Sequence, residues 1–164
     1  MAPLTETRIG RASLAVFVLT FGTLALAWGF QLVGGYVPCP LCLQQRWPYY
    51  AVIVLSAALL VVLSTSPTKT GLARAGLVLA ALVMLAGAGL GVYHAGVEWH
   101  WWAGPAACGG GAGLSGGLPD LSTARVVRCD EAQWRFLGLS FAGWNVIVSC
   151  FVAAAALWGA RRPA

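Results

Sequence analysis

Four stretches of this chain are long and apolar enough to cross a lipid bilayer, and they leave little freedom in what it can fold into. Leu14 to Val33 is a run of twenty residues without a charge. At about 1.5 Å of rise per residue it covers the roughly 30 Å hydrocarbon core. A second uncharged run follows Arg46 and ends before Lys69, a third extends from Ala75 to about Val92, and a fourth from Phe136 to Ala160. Backbone polar groups in lipid must be satisfied within their own segment, so each run is expected to be a helix. The expected fold is all-α, an integral membrane four-helix bundle forming one domain over residues 1–164. Its spans fall at about 14–33, 48–64, 75–92 and 139–159. Composition agrees: 9% of residues are charged, against about 25% in soluble domains.

The first run needs one decision. Arg8 and Arg11, followed by an apolar stretch and Ala25-Leu26-Ala27, imitate a signal peptide with its cleavage site. The run continues through Trp28, Phe30, Leu32 and Val33, past the usual core of about 7–15 residues, so retention as a span is expected.

Charge gives an orientation. Arg8, Arg11, Lys69, Arg74, Arg161 and Arg162 all fall on one face of a four-span protein, opposed there only by Glu6. Arg46, Arg125, Arg128 and Arg135 on the other face are balanced by Glu98, Asp120, Asp130 and Glu131. The positive-inside rule then places both termini in the cytoplasm. The tryptophans and tyrosines near residues 47–50, 93–102 and 134 mark the outer boundary. The net charge of +5 is too scattered to form a phosphate-binding stripe, which excludes nucleic acid as a partner.

Two loops remain outside, at about 34–47 and 94–135. The first contains Cys39 and Cys42, the second Cys108 and Cys129. Gly109 to Gly117 holds six glycines among nine residues and reads as flexible, while Leu118 to Val127 reads as either a short amphipathic segment or a loop. Cys39-Pro40-Leu41-Cys42 is a C-x-x-C motif, whose sulfurs can form an exchangeable disulfide and whose thiol pKa is readily lowered. Haem attachment would need histidine where Leu43 stands. Zinc held by all four loop cysteines is an alternative, which leaves Arg46 unexplained.

Arg46, four residues after Cys42, would share a helix face with it and favour its thiolate, or hold a reduced oxyanion of a bound acceptor. The bland reading is an arginine snorkelling to headgroups. Cys108 and Cys129 are either a structural staple worth a few kcal/mol or a shuttle disulfide. Cys150 is expected deep and buried in span four, without a redox role. His94 closes span three near the boundary, either satisfying a local hydrogen bond or serving an acceptor site. Glu98 and Asp130 read as solvated loop charges. Gln31 and Asn145 are the strongly polar amides near or within spans, and Gly87 and Gly91 would permit close helix approach. A scaffold or small transporter with two structural disulfides is the competing class, although spans one to three carry no internal charge for a substrate path.

The stretch Cys39-Pro40-Leu41-Cys42-Leu43-Gln44-Gln45-Arg46 resembles the C-x-x-C-x-x-x-R signature of the DsbB disulfide-forming membrane proteins. Tyr93-His94 and Cys129, followed by Gln133-Trp134-Arg135-Phe136-Leu137-Gly138-Leu139, fit the same pattern over essentially the whole chain. The resemblance implies a quinone-dependent thiol oxidase of the bacterial inner membrane. Cys108 would meet a reduced, DsbA-like periplasmic thiol oxidase, and Cys129 would pass electrons to Cys39. Cys42 would face ubiquinone or menaquinone, with Arg46 beside it and His94 near. No metal is implied. The glycine-rich interval between Cys108 and Cys129 looks shorter than in the best-known members, which bears on the shape of the partner-docking segment.

Overall fold

Capping groups, as much as hydropathy, set the helix boundaries in the computed structural model, which describes residues 6–108 and 127–161. Helix α1 (Arg8–Leu32) is opened by Thr7, whose Oγ1 accepts from the Gly10 amide at 3.1 Å. Helix α2 (Pro40–Gln44) is opened by Cys39, with Pro40 at its first position. It is followed by α3 (Trp47–Thr65) and α4 (Thr70–Glu98). Helix α5 (Phe141–Ala160) is opened by Ser140, whose Oγ accepts from the Gly143 amide at 3.3 Å. Four helical segments, with α2 and α3 counted together as Pro40–Thr65, are long and apolar enough to cross a membrane. The protein is a four-helix membrane bundle.

Helices α1 and α4 begin a turn or more before their apolar runs, at Arg8 and Thr70, and three further differences have a local reason. The α2–α3 segment is interrupted at Gln45 and Arg46 because Pro48 has no N–H to offer the Gln44 carbonyl and its ring crowds that carbonyl. Helix α4 runs past Val92 to Glu98, since His94 and Glu98 lie one turn apart and bury each other's polar atoms at 3.9 Å. Before α5, Arg135–Phe136 (β1) and Leu139–Ser140 (β2) pair as a small antiparallel hairpin. Leu137 and Gly138 form its turn at φ 52° and 81°, the doubly positive geometry of a type I′ turn. The stretch Gly109–Gly117 and most of Leu118–Val127 lie outside the described residues.

The helices close a ring in which α1 packs on α3, α3 on α4, α4 on α5 and α5 back on α1. Val16, Val52, Leu77, Met84 and Val152 fill its centre. Buried hydroxyls bond within their own helices, as where Ser13, Thr20 and Ser56 donate to carbonyls four residues back at 2.9, 2.7 and 2.7 Å. That removes the cost of hiding them. Large apolar side chains such as Val18, Phe21, Leu26, Val54, Leu82 and Phe151 point outward, as expected where the solvent is hydrocarbon.

Small residues draw the helices together. A Cβ on Gly91 would lie 2.8 Å from Val146 Cγ2, and one on Gly87 would lie 3.0 Å from Pro48 Cγ. The close approach expected at these two glycines is therefore real, and it brings α4 tightly against Pro48 of α3 on one side and against α5 on the other.

Candidate functional site

Cys39 is both the cap of α2 and its reactive end. Its Sγ accepts from the Cys42 amide at 3.2 Å and lies 2.6 Å from Cys42 Sγ, both cysteines being free thiols. The backbone of the C-x-x-C turn already holds the sulfurs together. Cys39 is almost wholly buried and Cys42 partly so. The hydrogen bond with the Cys42 thiol, followed by His94, holds the Cys39 thiol down at about 5, against burial, which pushes it up. Thiolate is the reactive form. Alkylation of Cys39 in the reduced protein is therefore expected to vary little between pH about 6 and 8, and to fall about tenfold per unit well below its midpoint. A midpoint near the ordinary thiol value would contradict this assignment.

The second cysteine pair is a disulfide, Cys108–Cys129. Together with Cys39, Leu41 and Val97 it forms one buried cluster, against which Cys42 packs. The loop that carries it is tied across the bundle end by Gln133, whose Nε2 donates to the Val37 carbonyl at 2.7 Å. All four loop cysteines thus meet at one place. Because Cys108 and Cys129 are joined to each other, they offer no thiolates for a four-cysteine zinc site.

A cavity of about 420 Å³ opens beside this cluster, walled by Cys39, Cys42, Arg46 and His94 and otherwise largely by apolar and aromatic side chains. Arg46 departs from expectation in its contacts. A continuous helix would lay its guanidinium along the Cys42 sulfur, but the break at Gln45 turns it toward α1. There Nη1 donates to Gln31 Oε1 at 2.7 Å, Nη2 reaches the Ala27 carbonyl at 3.5 Å, and the group lies 5.0 Å from the centre of the Trp28 ring. The cation is held at the cavity wall by α1, with no described contact to sulfur.

His94 is buried in the last turn of α4. Its Nε2 lies 3.6 Å from Cys39 Sγ and 3.9 Å from Glu98 Oε1, and its Nδ1 lies 2.6 Å from Gln45 Nε2. Glu98 is a correction. It is 7% exposed, so it is not a solvated loop charge, and its Oε2 has no hydrogen-bond partner. Asp130 does lie at the surface, paired with Arg128 at 2.6 Å. Cys150 is a second correction: it sits midway along α5 but points outward, because the inward face of that helix carries Ser149, Val152 and Ala153. Cys150→Ala is expected to leave turnover within about twofold, as a change far from the reacting sulfurs should. A larger loss would give Cys150 a role that its position does not explain.

Sequence reasoning missed Gln45 and Tyr49 and undervalued Asn145. Asn145 Nδ2 donates to Gln45 Oε1 at 2.6 Å, and Tyr49 Oη donates to Asn145 Oδ1 at 2.7 Å. The available signal was polarity within apolar runs, which singled out Gln31 and Asn145. Both hold a site residue in place, Arg46 and Gln45 respectively.

The ligand atoms of Cys39, Cys42 and His94 also lie within 4.8 Å of one another, close enough to suggest a metal site. A ligating histidine donates its remote N–H to a carboxylate or carbonyl. Here Gln45 presents an amide N–H to Nδ1, while acceptors surround Nε2. Ligation through Nε2 would need Nδ1 to donate, and the group 2.6 Å from Nδ1 is the Gln45 amide nitrogen.

Comparison with known proteins agrees with this arrangement. Residues 10–159 match the family model described as disulfide bond formation protein DsbB. A "Disulfide bond formation protein B" of Nitrosococcus oceani is 31% identical over 156 residues, covering 89% of this chain and 88% of its own. Proteins of the same name from Methylococcus capsulatus (32% identical, covering 89% and 92%) and Marinobacter nauticus (34%, covering 80% and 80%) are also similar. No solved structure gives a significant match.

Proposed function

This chain belongs to the DsbB family of disulfide bond formation proteins, and on that footing we propose that it reoxidises a DsbA-like periplasmic thiol oxidase and delivers the electrons to a membrane quinone. The observation that carries this reading is the meeting of both cysteine pairs in one buried cluster, beside an apolar cavity walled by Cys42 and Arg46.

The steps balance. A thiolate of the reduced partner attacks Cys108 and breaks the Cys108–Cys129 bond, and the partner's second thiol resolves the mixed disulfide. Cys108 and Cys129 are left as a dithiol. Cys129 then attacks Cys39 of an oxidised Cys39–Cys42 pair, with Cys42 as leaving thiolate, and Cys108 displaces Cys39 to restore the Cys108–Cys129 bond. The Cys39–Cys42 dithiol that remains is the state described here. A quinone accepts two electrons and two protons and leaves as quinol, which lets Cys39 and Cys42 close again.

The cavity suits such a group in its apolar lining and in the Arg46 cation that α1 tethers at its wall. Arg46 would hold the oxygen on which negative charge grows, and its tether to Gln31 and Ala27 keeps that charge in position. Ubiquinone and menaquinone both present such an oxygen. The proposed location is the bacterial inner membrane, with both termini cytoplasmic, the two cysteine pairs periplasmic, and the catalytic set Cys39, Cys42, Cys108 and Cys129.

The direct test uses purified protein, reduced thiol oxidase and quinone, with quinone loss and partner oxidation followed together. One quinone consumed per partner disulfide is the expected stoichiometry. Partner oxidation that proceeds equally well without quinone would sink the proposal.

A further inference from the structure

Hydrogen bonds among buried amides have a direction, and here two backbone carbonyls set it. Gln45 Nε2 lies 3.4 Å from the Leu41 carbonyl, and Asn145 Nδ2 lies 3.5 Å from the Gly87 carbonyl. A carbonyl only accepts. Rotating the two amides by half a turn would set oxygen against oxygen at both places. It would also cost Asn145 Oδ1 the hydrogen bonds it accepts from Tyr49 at 2.7 Å and Ser149 at 3.4 Å, leaving the Tyr49 hydroxyl to donate to Ser149 Oγ at 3.1 Å. The sense of the chain is therefore fixed: Tyr49 donates to Asn145, Asn145 to Gln45, and Gln45 to His94 Nδ1.

That leaves His94 one place for its proton. Nδ1 accepts from Gln45, so a neutral ring carries hydrogen on Nε2. An imidazolium would press its Nδ1–H against the amide N–H. The surroundings of Nε2 agree, since Cys39 Sγ at 3.6 Å and Glu98 Oε1 at 3.9 Å are both acceptors. We propose that Asn145 is a positioning residue for the C-x-x-C pair: by fixing the orientation of Gln45 it holds His94 as the Nε2–H tautomer, with that proton facing Cys39 Sγ.

The inference rests on the proposed thiol relay only for its use. An N–H held toward Cys39 stabilises charge on that sulfur as it enters or leaves a disulfide, without placing a formal cation in the apolar site. The device is assembled from three helices, since Asn145 comes from α5, Gln45 caps α2 and His94 belongs to α4. Gly91 lets α5, and Gly87 lets Pro48 at the start of α3, approach α4 closely enough for it to form.

The ionisable groups that face Cys39 and His94 are Cys42 from α2, Tyr49 from α3 and Glu98 from α4. Arg46 stands on the cavity wall, and from the second loop Arg128 and Glu131 also line it, while Arg135 acts on Glu98. Helix α5 contributes no ionisable group to this lining, only the amide of Asn145. Replacing it by leucine therefore alters geometry without altering local charge, whereas Asn145→Asp also adds a carboxyl group and is read by its nitrogen pattern.

The test is a nitrogen NMR measurement on the full chain, reduced and labelled with ¹⁵N-histidine, with His100→Gln used to assign the two histidines. In the wild type, the protonated nitrogen of His94 is expected to be Nε2. In Asn145→Leu, and in Asn145→Asp, Gln45 keeps only its 3.4 Å contact with the Leu41 carbonyl to hold its sense, and the proton should shift to Nδ1 at least in part. Alkylation of Cys39 in the same variants is expected to move its midpoint upward by about one pH unit, or about tenfold slower labelling below the midpoint. A wild-type His94 protonated at Nδ1 would overturn the proposal. So would a folded Asn145 variant, of either kind, that keeps both the nitrogen pattern and the alkylation midpoint of the wild type. If neither variant folds, the wild-type spectrum still decides. Neither measurement involves quinone or partner, so a failure here is distinct from a failure of the relay.

Discussion

Replacing Cys42 by serine is expected to stop turnover while leaving a single, stoichiometric event intact. In this variant the Cys108–Cys129 disulfide is still present to be consumed once by a reduced partner. With Cys42 gone, the Cys39–Cys42 disulfide that Cys129 would attack cannot form, so no second oxidising equivalent can be delivered. A rapid-mixing experiment should show about one equivalent of partner oxidised per protein and no quinone loss. Steady-state rates should drop by on the order of a thousandfold or more, as when a covalent nucleophile is removed from its set. The structural cost is small, because Cys42 contributes its backbone amide to the Cys39 cap and that amide is retained. Sustained quinone reduction in Cys42→Ser would mean that electrons leave by another sulfur, and the proposed order of the relay would be wrong.

The second large effect concerns Arg46. Its alanine variant removes the cavity's fixed cation, leaves Gln31 Oε1 without the guanidinium that donates to it, and removes the 3.5 Å contact to the Ala27 carbonyl. A hydrogen bond to a charged group is worth about 1.5–3 kcal/mol, so quinone-dependent turnover should fall by about tenfold to a hundredfold. The partner-oxidising event at Cys108–Cys129 should keep its rate, since that disulfide does not rely on the arginine. Arg46→Lys is expected to recover little. An ammonium is a point charge on a flexible stem and cannot reproduce a planar fork that meets both acceptors while lying over Trp28. If Arg46→Ala slowed partner oxidation and quinone reduction equally, the residue would be acting on the fold, and its proposed place beside the acceptor would have to be given up.

The four spans and the two cysteine-bearing loops are legible in the sequence because lipid imposes long uncharged runs and penalises little else. Cys39 and Cys42 announce themselves by spacing. Arg46 was visible as a charge beside them, but its direction was not, since the consequence of Pro48 for the preceding turn decides where the guanidinium goes. Glu98 was misread for a related reason. A carboxylate after an apolar run looks like loop, unless the helix is continued by one turn so that His94 and Glu98 fall on the same face. Asn145, Gln45 and Tyr49 were beyond reach as a set. They come from three helices and are joined by packing that two glycines allow, which no pattern along the chain records.

The ring of helices has one more consequence. Helix α5 returns to lie on α1, with Gly159 meeting Ala12, Arg8 reaching the Arg161 carbonyl, and the Arg8 guanidinium over Trp158. The covalent order of the helices is thus nearly cyclic in space. Every contact between neighbours would survive if the chain were joined where α5 meets α1 and opened instead at the short connection between α3 and α4. Both the joint and the opening lie at the end of the bundle away from the cysteines. The redox cluster would then hang from the same four walls, entered from a different starting point.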